Sequence, residues 1–559
     1  MTAPRALTGN IVYNHFGHPC AYRIHRDLFA SSKDRTRPTA TGRYLMDRGN
    51  RHEDRVFRGI QKKYPDEWIS IASDPDATDR VADIARRAEA TRQAMSDGVR
   101  FIFHGIIERP ALQSDEVMGA PVPCTDLLFR GETDILIAEK TDGEAIQYIV
   151  GDVKSSLHAR FAQKMQVAFY SWILAYHYGA MMPTGFIITG EGTREDFATD
   201  DYYWTLKHFI EEEVHEFIDH GNSRMHLTWH CSGCHWKSHC EEKANNTDSL
   251  SLIPTCRRME RVALEEAGIT TRALLLVTDE KVLRSLGRQS GTSLDCFRDL
   301  KKRATAQEFG RPIVNQHPKK AAANYVNGPP QLYHHNGPIL LLSSITDHYH
   351  GDEVLMATSL LRREQLLKPE GRSGMTLRQV FPGLRPDSSK QRISELLAHL
   401  HEARELLVAR NETLLVVITD EGMPNRLQRQ AEGTPWEMAV ETMLTDATVL
   451  PRLVRRTWFL SSPIRDIHDL AAELQKTPTV VSWSAEEDIQ AAAIAALDDV
   501  AADYDLVREE LVPGDRELRP LAVREWRASS EEHWQALLEY DLDRERAAAS
   551  DIIAAVMAL

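Results

Sequence analysis

Two acids and a lysine carry the first chemistry in this chain. In "YIVGDVKSS", residues 148–156, Asp152 and Lys154 stand two apart at the end of an apolar run. Successive side chains of a strand point to opposite faces, so these two share one face and Val153 takes the other. Another acid, Asp134, closes "GETD" within the preceding apolar run. If the two runs pair as neighbouring strands, both carboxylates and the ammonium meet at one sheet edge. Carboxylate oxygens suit Mg²⁺ or Mn²⁺. Such a cation lowers the pKa of water and stabilises charge building on a phosphate. Lys154 would orient that water or neutralise the developing charge. An exposed ion pair with no function is worth only ~0–1 kcal/mol, so the surroundings must decide between the readings.

The second constellation is sulfur. "HCSGCHWKSHC" places Cys231, Cys234 and Cys240 in one short stretch, and three thiols need a fourth ligand. Completed by His230, His235 or His239, they make a zinc site. Completed by Cys20, in "GHPCAYRIHRDLF", they give four thiolates, the usual ligand set of a [4Fe–4S] cluster. The chain has seven cysteines, and an odd number argues against a disulfide framework. Cys124, Cys256 and Cys296 are isolated and read as buried thiols.

The elements that must position these groups follow from periodicity. Residues 20–62 read as two helices around the loop "SSKDRTRPTATG", and residues 78–98 as an amphipathic helix ended by Gly98. "RFIFHGII", "DLLFRGETDILIAEK" and "YIVGDVKSS" read as strands, the last two joined by the turn "TDGE". Residues 158–178 form a long helix. "GFIITG" and "DYYWTLK" read as strands, followed by a helix at 207–220. This gives an α/β unit over residues 1–245. Residues 246–310 are helical, 311–337 read as a linker rich in Pro, Asn and Lys, and 338–559 form a second α/β domain.

In this order, the motifs resemble the RecB-like branch of the PD-(D/E)xK nuclease superfamily, with its restriction-endonuclease-like core. That branch brings a Gly followed by a metal-binding His or Glu ahead of the sheet. Here "DRGNRHED" supplies Gly49, His52 and Glu53. It carries Gln-x-x-x-Tyr on the helix after the sheet, and "QVAFY" supplies Gln166 and Tyr170, on one helix face. The resemblance implies that His52, Glu53, Asp134, Asp152 and the Val153 carbonyl hold Mg²⁺ or Mn²⁺. Lys154 then assists the attacking water, and Gln166 and Tyr170 position the lysine or the phosphate. An early cysteine plus a late C-x2-C-x5-C is similar to the iron–sulfur staple of AddB-type proteins and CRISPR adaptation nucleases. The resemblance implies a [4Fe–4S] cluster on Cys20, Cys231, Cys234 and Cys240, with Zn as the alternative. Such a clasp would close a very long loop.

Further along, "LSLIPTCRRMERVALEEAGITT" is similar to a helix–hairpin–helix segment, although "PTCRR" lacks the glycines that let such a hairpin approach phosphate. Lys319 and Lys320 could touch a nucleic-acid backbone. The C-terminal domain resembles a degenerate RNase H-like fold. Ser344 and Thr346 stand where its first strand would carry acids, "VVSWSAEEDI" resembles its middle motif, and Arg544 lies near the position of its late acid. No Walker motif is present, so a helicase would have to be a separate partner.

The net charge of −15 argues against a protein that coats nucleic acid, but leaves room for a local basic groove. No apolar run is long enough to span a membrane, and the N-terminus lacks a secretory pattern, so the expected location is the cytoplasm. The expected function is a metal-dependent deoxyribonuclease acting on single strands or DNA ends, in DNA repair or defence against foreign DNA. The alternative class is a non-catalytic DNA-binding or scaffold subunit. A zinc-stapled RNA-processing nuclease is a third reading.

Overall fold

A computed structural model describes residues 5–31, 34–38, 40–74, 76–110, 127–140, 146–156, 158–179, 181–220, 225–315, 332, 335–347, 352–362, 379–382, 394–399, 401, 414–462, 466–476, 487–504, 519, 522–523, 525 and 532–557. The fold class is mixed α/β. The chain divides into two units, Met1–Arg37 with Arg43–Glu241, and Pro38–Gly42 with Glu242–Leu559.

The first unit begins with β1 (Arg5–Thr8), α1 (Gly9–Gly17), α2 (Ala21–Phe29), α3 (Ala40–Lys63), β2 (Trp68–Ser70) and α4 (Arg80–Ser96). Asp79 caps α4 by accepting the Val81 and Ala82 amides, which satisfies two donors at the helix start. Then follow β3 (Phe101–Phe103), β4 (Ile106–Pro110), β5 (Leu127–Glu132), β6 (Ile135–Lys140), β7 (Ile146–Val153), α5 (Phe161–Tyr178), β8 (Thr184–Ile188) and β9 (Arg194–Ala198). A six-stranded sheet runs β2-β3-β6-β7-β8-β9, and a three-stranded sheet runs β1-β5-β4.

Two apolar runs that read as single strands are each broken. "RFIFHGII" splits at His104 into β3 and β4, and "DLLFRGETDILIAEK" splits at Thr133–Asp134 into β5 and β6. In both cases the halves lie in different sheets, so apolar content alone could not reveal the break. Asp134 thus sits at the corner where the chain changes sheets.

"DYYWTLK" is a helix, not a strand. It forms α6 (Asp200–His208), which runs on through a π turn at Phe209–Glu213 into α7 (Val214–His220). Its aromatics suggest strand propensity, but Leu206, Phe209, Ile210, Val214 and Phe217 recur at helical spacing and are buried together in the core. Tertiary burial overrides a weak local preference.

The core of this unit centres on α5, whose residues Ala162–Ala175 are all buried apart from Lys164. A helix apolar on every side must be covered all round. Indeed α5 touches β7, β8, β4, β5 and α1. Each fully buried large side chain, such as Trp172 or Phe169, contributes about 1.5–3 kcal/mol of transfer free energy.

The second unit starts with α8 (Lys237–Asn246), which spans the unit boundary, and continues with α9 (Arg258–Glu266), α10 (Arg272–Val277), α11 (Glu280–Ser290) and α12 (Leu294–Glu308). These share a core of Leu250, Ile253, Leu264, Leu275, Phe297 and Leu300. Thr255, in the glycine-free "IPTC", takes a left-handed φ of 65°, the conformation a glycine would adopt there.

Beyond it lie β10 (Ile313–Val314), β11 (Ile339–Asp347), β12 (Asp352–Leu361), β13 (Gln379–Pro382), β14 (Leu415–Ile418), α13 (Met423–Ala431), α14 (Glu437–Asp446), β15 (Thr448–Val449), α15 (Leu450–Thr457), β16 (Trp458–Phe459), α16 (Ile467–Gln475), α17 (Glu487–Tyr504) and α18 (Glu532–Met557). The five-stranded sheet runs β13-β12-β11-β14-β15. In it β12 is antiparallel to both neighbours, while β11, β14 and β15 are parallel. Ile339 and Leu341 face one core, Leu340 and Leu342 another. Burial on both faces explains why "ILLL" is continuously apolar.

Ile313–Val314, expected within a linker, pairs antiparallel with β16. Arg544, expected near the late acid of the domain, lies over the Tyr540 ring at 5.8 Å. Among the buried acids of α18, Asp541 and Glu545 are both bound by Arg519 at 2.9 Å, and Asp543 by Arg546 at 2.6 Å. The turn "TDGE", most of the linker including Lys319 and Lys320, Cys124, and "TPTVVSWS" with the start of the middle motif lie outside the described residues.

Candidate active site

Strands β6 and β7 pair antiparallel with Ile135 opposite Gly151, which sets Asp134 beside Asp152. A side chain at Gly151 would run into the Phe186 ring on neighbouring β8, so the "GDVK" turnout needs glycine. The Lys154 ammonium lies 2.8 Å from Asp152 Oδ2 and 3.6 Å from Asp134 Oδ2. The Val153 amide donates to Asp134 Oδ2 at 2.7 Å, so the backbone itself fixes that carboxylate.

Asp152 is 1% exposed. Burial and the Asp134 charge push its carboxyl well above the usual range. Burial also acts on Asp134, but Lys154, a hydrogen bond shared with Asp152 and the Val153 amide outweigh it and hold Asp134 low. Of the pair, Asp134 is therefore the more readily ionised and Asp152 the more readily protonated. Burial opposes the charge on Lys154, yet the two acids overcome it and raise its pKa. Lys154 is accordingly a firm cation.

α3 delivers His52 and Glu53. Adjacent residues on a helix point about 100° apart, and the two diverge accordingly. His52 is buried, with Nε2 3.0 Å from the Thr189 carbonyl at the end of β8. Glu53 turns toward the acid pair. Burial first, then the Asp134 charge, push its carboxyl up to about 7 despite Lys154.

α5 delivers Gln166 and Tyr170, one turn apart. Gln166 Nε2 donates to the Tyr170 hydroxyl at 2.9 Å. Tyr170 is fully buried, and burial together with the charge of Asp152 raises its phenol pKa. Its ring fits a slot between two glycines. A Cβ on Gly131 would come within 2.7 Å of the ring, and one on Gly9 would overlap it. Among the described residues, the buried Gln166 Oε1 meets no hydrogen-bond partner.

Sequence reasoning missed His104. It sits at the break between β3 and β4 with a left-handed φ of 56°, and its Nδ1 lies 3.4 Å from Glu53 Oε1. A polar residue and a glycine interrupting an apolar run, "FIFHGII", is the sequence feature that marks it.

The cysteines gather at the other end of the helical layer. Cys20 caps α2 and its Sγ accepts the Arg23 amide at 3.4 Å. Cys231 Sγ accepts the Thr228 amide and Cys234 Sγ the Trp236 amide, each at 3.4 Å. Cys20 feels the charges of Cys231 and Cys234, and Cys240 those of all three others. Burial, then these like charges, push the Cys240 thiol up to about 12. Four thiols facing one another, three with backbone amides aimed at sulfur, suit thiolates neutralised by a metal centre.

The neighbouring histidines are engaged elsewhere. His235 Nε2 meets Asp27 at 2.8 Å and its Nδ1 meets Arg23 at 3.5 Å. His239 Nε2 meets the Tyr22 hydroxyl at 2.9 Å, and His230 stacks on His18 at 4.2 Å. Asp27, 5% exposed, also accepts the Trp236 indole N–H and an Arg35 guanidinium N–H, tying α2 to the cysteine loop.

Among the described residues, no group of three or more His, Cys, Asp or Glu side chains is already drawn together as a metal cage. In the acid cluster Lys154 bridges the carboxylates, and in the sulfur cluster burial raises the thiol pKa of Cys20, Cys234 and Cys240. Compared with family models, curated proteins and solved structures, the chain matches none. Among the described residues no helix is long and apolar enough to cross a membrane.

Proposed function

We propose that the chain is a divalent-metal-dependent nuclease of the RecB-like PD-(D/E)xK kind, cutting phosphodiester bonds in DNA. The observation that carries this is the convergence of Asp134 and Asp152 on Lys154 from adjacent strands, with Glu53 from α3 and the Gln166–Tyr170 pair from α5. Six side chains from two helices and two strands are held in one place against like-charge repulsion. A fold rarely retains such strain without use.

Bound Mg²⁺ or Mn²⁺ would supply charge neutralisation at the phosphate and a more acidic water. The residues that would hold it are Asp134, Asp152 and Glu53. His52 would join them if its ring turns from Thr189. A bound cation would favour the ionised form of Asp152. Lys154 holds its own proton too firmly to act as a base, so it serves as an ammonium that orients water and stabilises charge on phosphorus. Tyr170 and Gln166 buttress the lysine and the acids from α5. Water attacks phosphorus, the bond to the leaving oxygen breaks, and a proton passes to that oxygen.

In this reading Cys20, Cys231, Cys234 and Cys240 hold a [4Fe–4S] cluster, because the nearby histidines are engaged elsewhere. The order and directions of the five-stranded sheet agree with an RNase H-like second domain. There Arg519 pairs with Asp541 and Glu545. A helicase or other subunit would supply single strands or ends, in repair or defence.

The test is cleavage of labelled single- and double-stranded DNA with Mg²⁺ or Mn²⁺ by anaerobically purified protein, beside Lys154→Met. Cutting by the parent and not by the variant supports the reading. No cutting by cluster-loaded parent protein favours a scaffold subunit instead.

A further inference from the structure

Resting on the nuclease reading, we infer that His104 is a positioning residue, which holds the Glu53 carboxylate at a set spacing from Asp134. Its backbone is the first reason. A non-glycine residue in the left-handed region costs about 1–2 kcal/mol, and at His104 the surroundings impose it. The His104 amide donates to the Asp134 carbonyl at 3.1 Å. The His104 carbonyl accepts from Arg87 Nη2 at 3.1 Å, and Arg87, 8% exposed, also donates from Nε to the Ile71 carbonyl at 3.1 Å. Gly105, which could take this φ without strain, follows immediately, yet the strained conformation falls on the histidine. A strained side chain held in a cleft is a feature of functional sites.

Its side chain is the second reason. Nδ1 lies 3.4 Å from Glu53 Oε1, and the ring stands edge-on to Phe57 at 5.2 Å and 77°. Phe57 is one turn beyond Glu53 on α3, so one helix face presents both the ring's support and the carboxylate it meets. Without the imidazole, repulsion from Asp134 would swing Glu53 toward solvent. One residue thus joins the backbone of one proposed ligand to the side chain of another. Partners of this kind, once removed, typically lower metal affinity 10–100-fold.

The experiment is Mn²⁺ binding without DNA, followed by the loss of the free-ion electron paramagnetic resonance signal, on the full chain. The proteins are the parent, His104→Gly, His104→Asn and Asp152→Asn, each with its thermal stability in chelator. The expected result is a 10–100-fold weaker affinity in His104→Gly with no loss of stability, because glycine relieves the backbone. Asparagine tolerates the left-handed region and offers an amide near Nδ1, so His104→Asn should recover most of the affinity. Parent-like binding by His104→Gly overturns the inference alone. So does weak binding that merely tracks lost stability and is not recovered by asparagine. A parent chain with no Asp152-dependent Mn²⁺ binding overturns the nuclease reading, and this inference with it.

Discussion

Replacing Glu53 by Gln should make the first unit more stable in alkaline solution and less able to take up a divalent cation. Burial and the Asp134 charge move the Glu53 carboxyl from an ordinary 4.5 to about 7. The folded unit therefore binds a proton more tightly than the unfolded chain. For a group whose folded pKa is raised, the stabilisation is complete below the unfolded value and is lost as pH climbs through the folded one. The shift corresponds to about 3 kcal/mol in full, of which about 2 kcal/mol falls between pH 5.5 and 8.5. The Glu53 side chain is 21% exposed, so solvent trims these figures somewhat. Glutamine keeps the shape and removes the titration.

The assay is urea unfolding with chelator at pH 5.5 and 8.5, read by hydrogen–deuterium exchange of the β6 and β7 amides, which reports this unit alone. The advantage of Glu53→Gln over the parent should grow by about 2 kcal/mol from the lower to the higher pH. Saturating Mn²⁺ should reverse the order at pH 8.5, because a cation stabilises by mass action the form that binds it better. Parallel pH dependences in parent and variant would refute the placement of Glu53 in the acid cluster. Equal stabilisation of both by Mn²⁺ would refute its role as a ligand.

Four further outcomes are expected. Asp152→Asn removes a carboxyl whose ionisation burial and Asp134 disfavour, so stability in chelator should hold or rise while DNA cleavage falls at least ~100-fold, measured by gel time course. Cys20→Ser should abolish iron and sulfide content and visible absorbance, whereas His235→Ala should leave them, as determined on anaerobically prepared protein. Gly131→Ala pushes a methyl into the Tyr170 ring and should cost about 1–3 kcal/mol by urea unfolding, with cleavage impaired. In the second unit, Arg519→Met strands two buried acids and should cost about 3–5 kcal/mol at pH 8. The loss should be smaller at pH 5, where Glu545, pushed to about 7 chiefly by burial, is protonated.

The sequence by itself determined the chemistry on offer. Spacing of two along a strand put Asp152 and Lys154 on one face, and a spacing of four along a helix put Gln166 and Tyr170 on one face. Both follow from backbone geometry that no tertiary contact alters. The long helices followed in the same way from apolar periodicity, as at α4 and α5. Only the tertiary structure decided which groups meet. His104 looked like a polar residue inside a strand until the chain changed sheets there and turned it onto Glu53. "DYYWTLK" carried strand-forming aromatics, and burial of Leu206 and its helical neighbours made it α6. His52 and Glu53 are adjacent in the chain, yet the helix sends one to the Thr189 carbonyl and the other to the acid pair. The raised pKa of Asp152 likewise exists only where burial removes water from around it, and that of Lys154 only where the fold brings both acids to it.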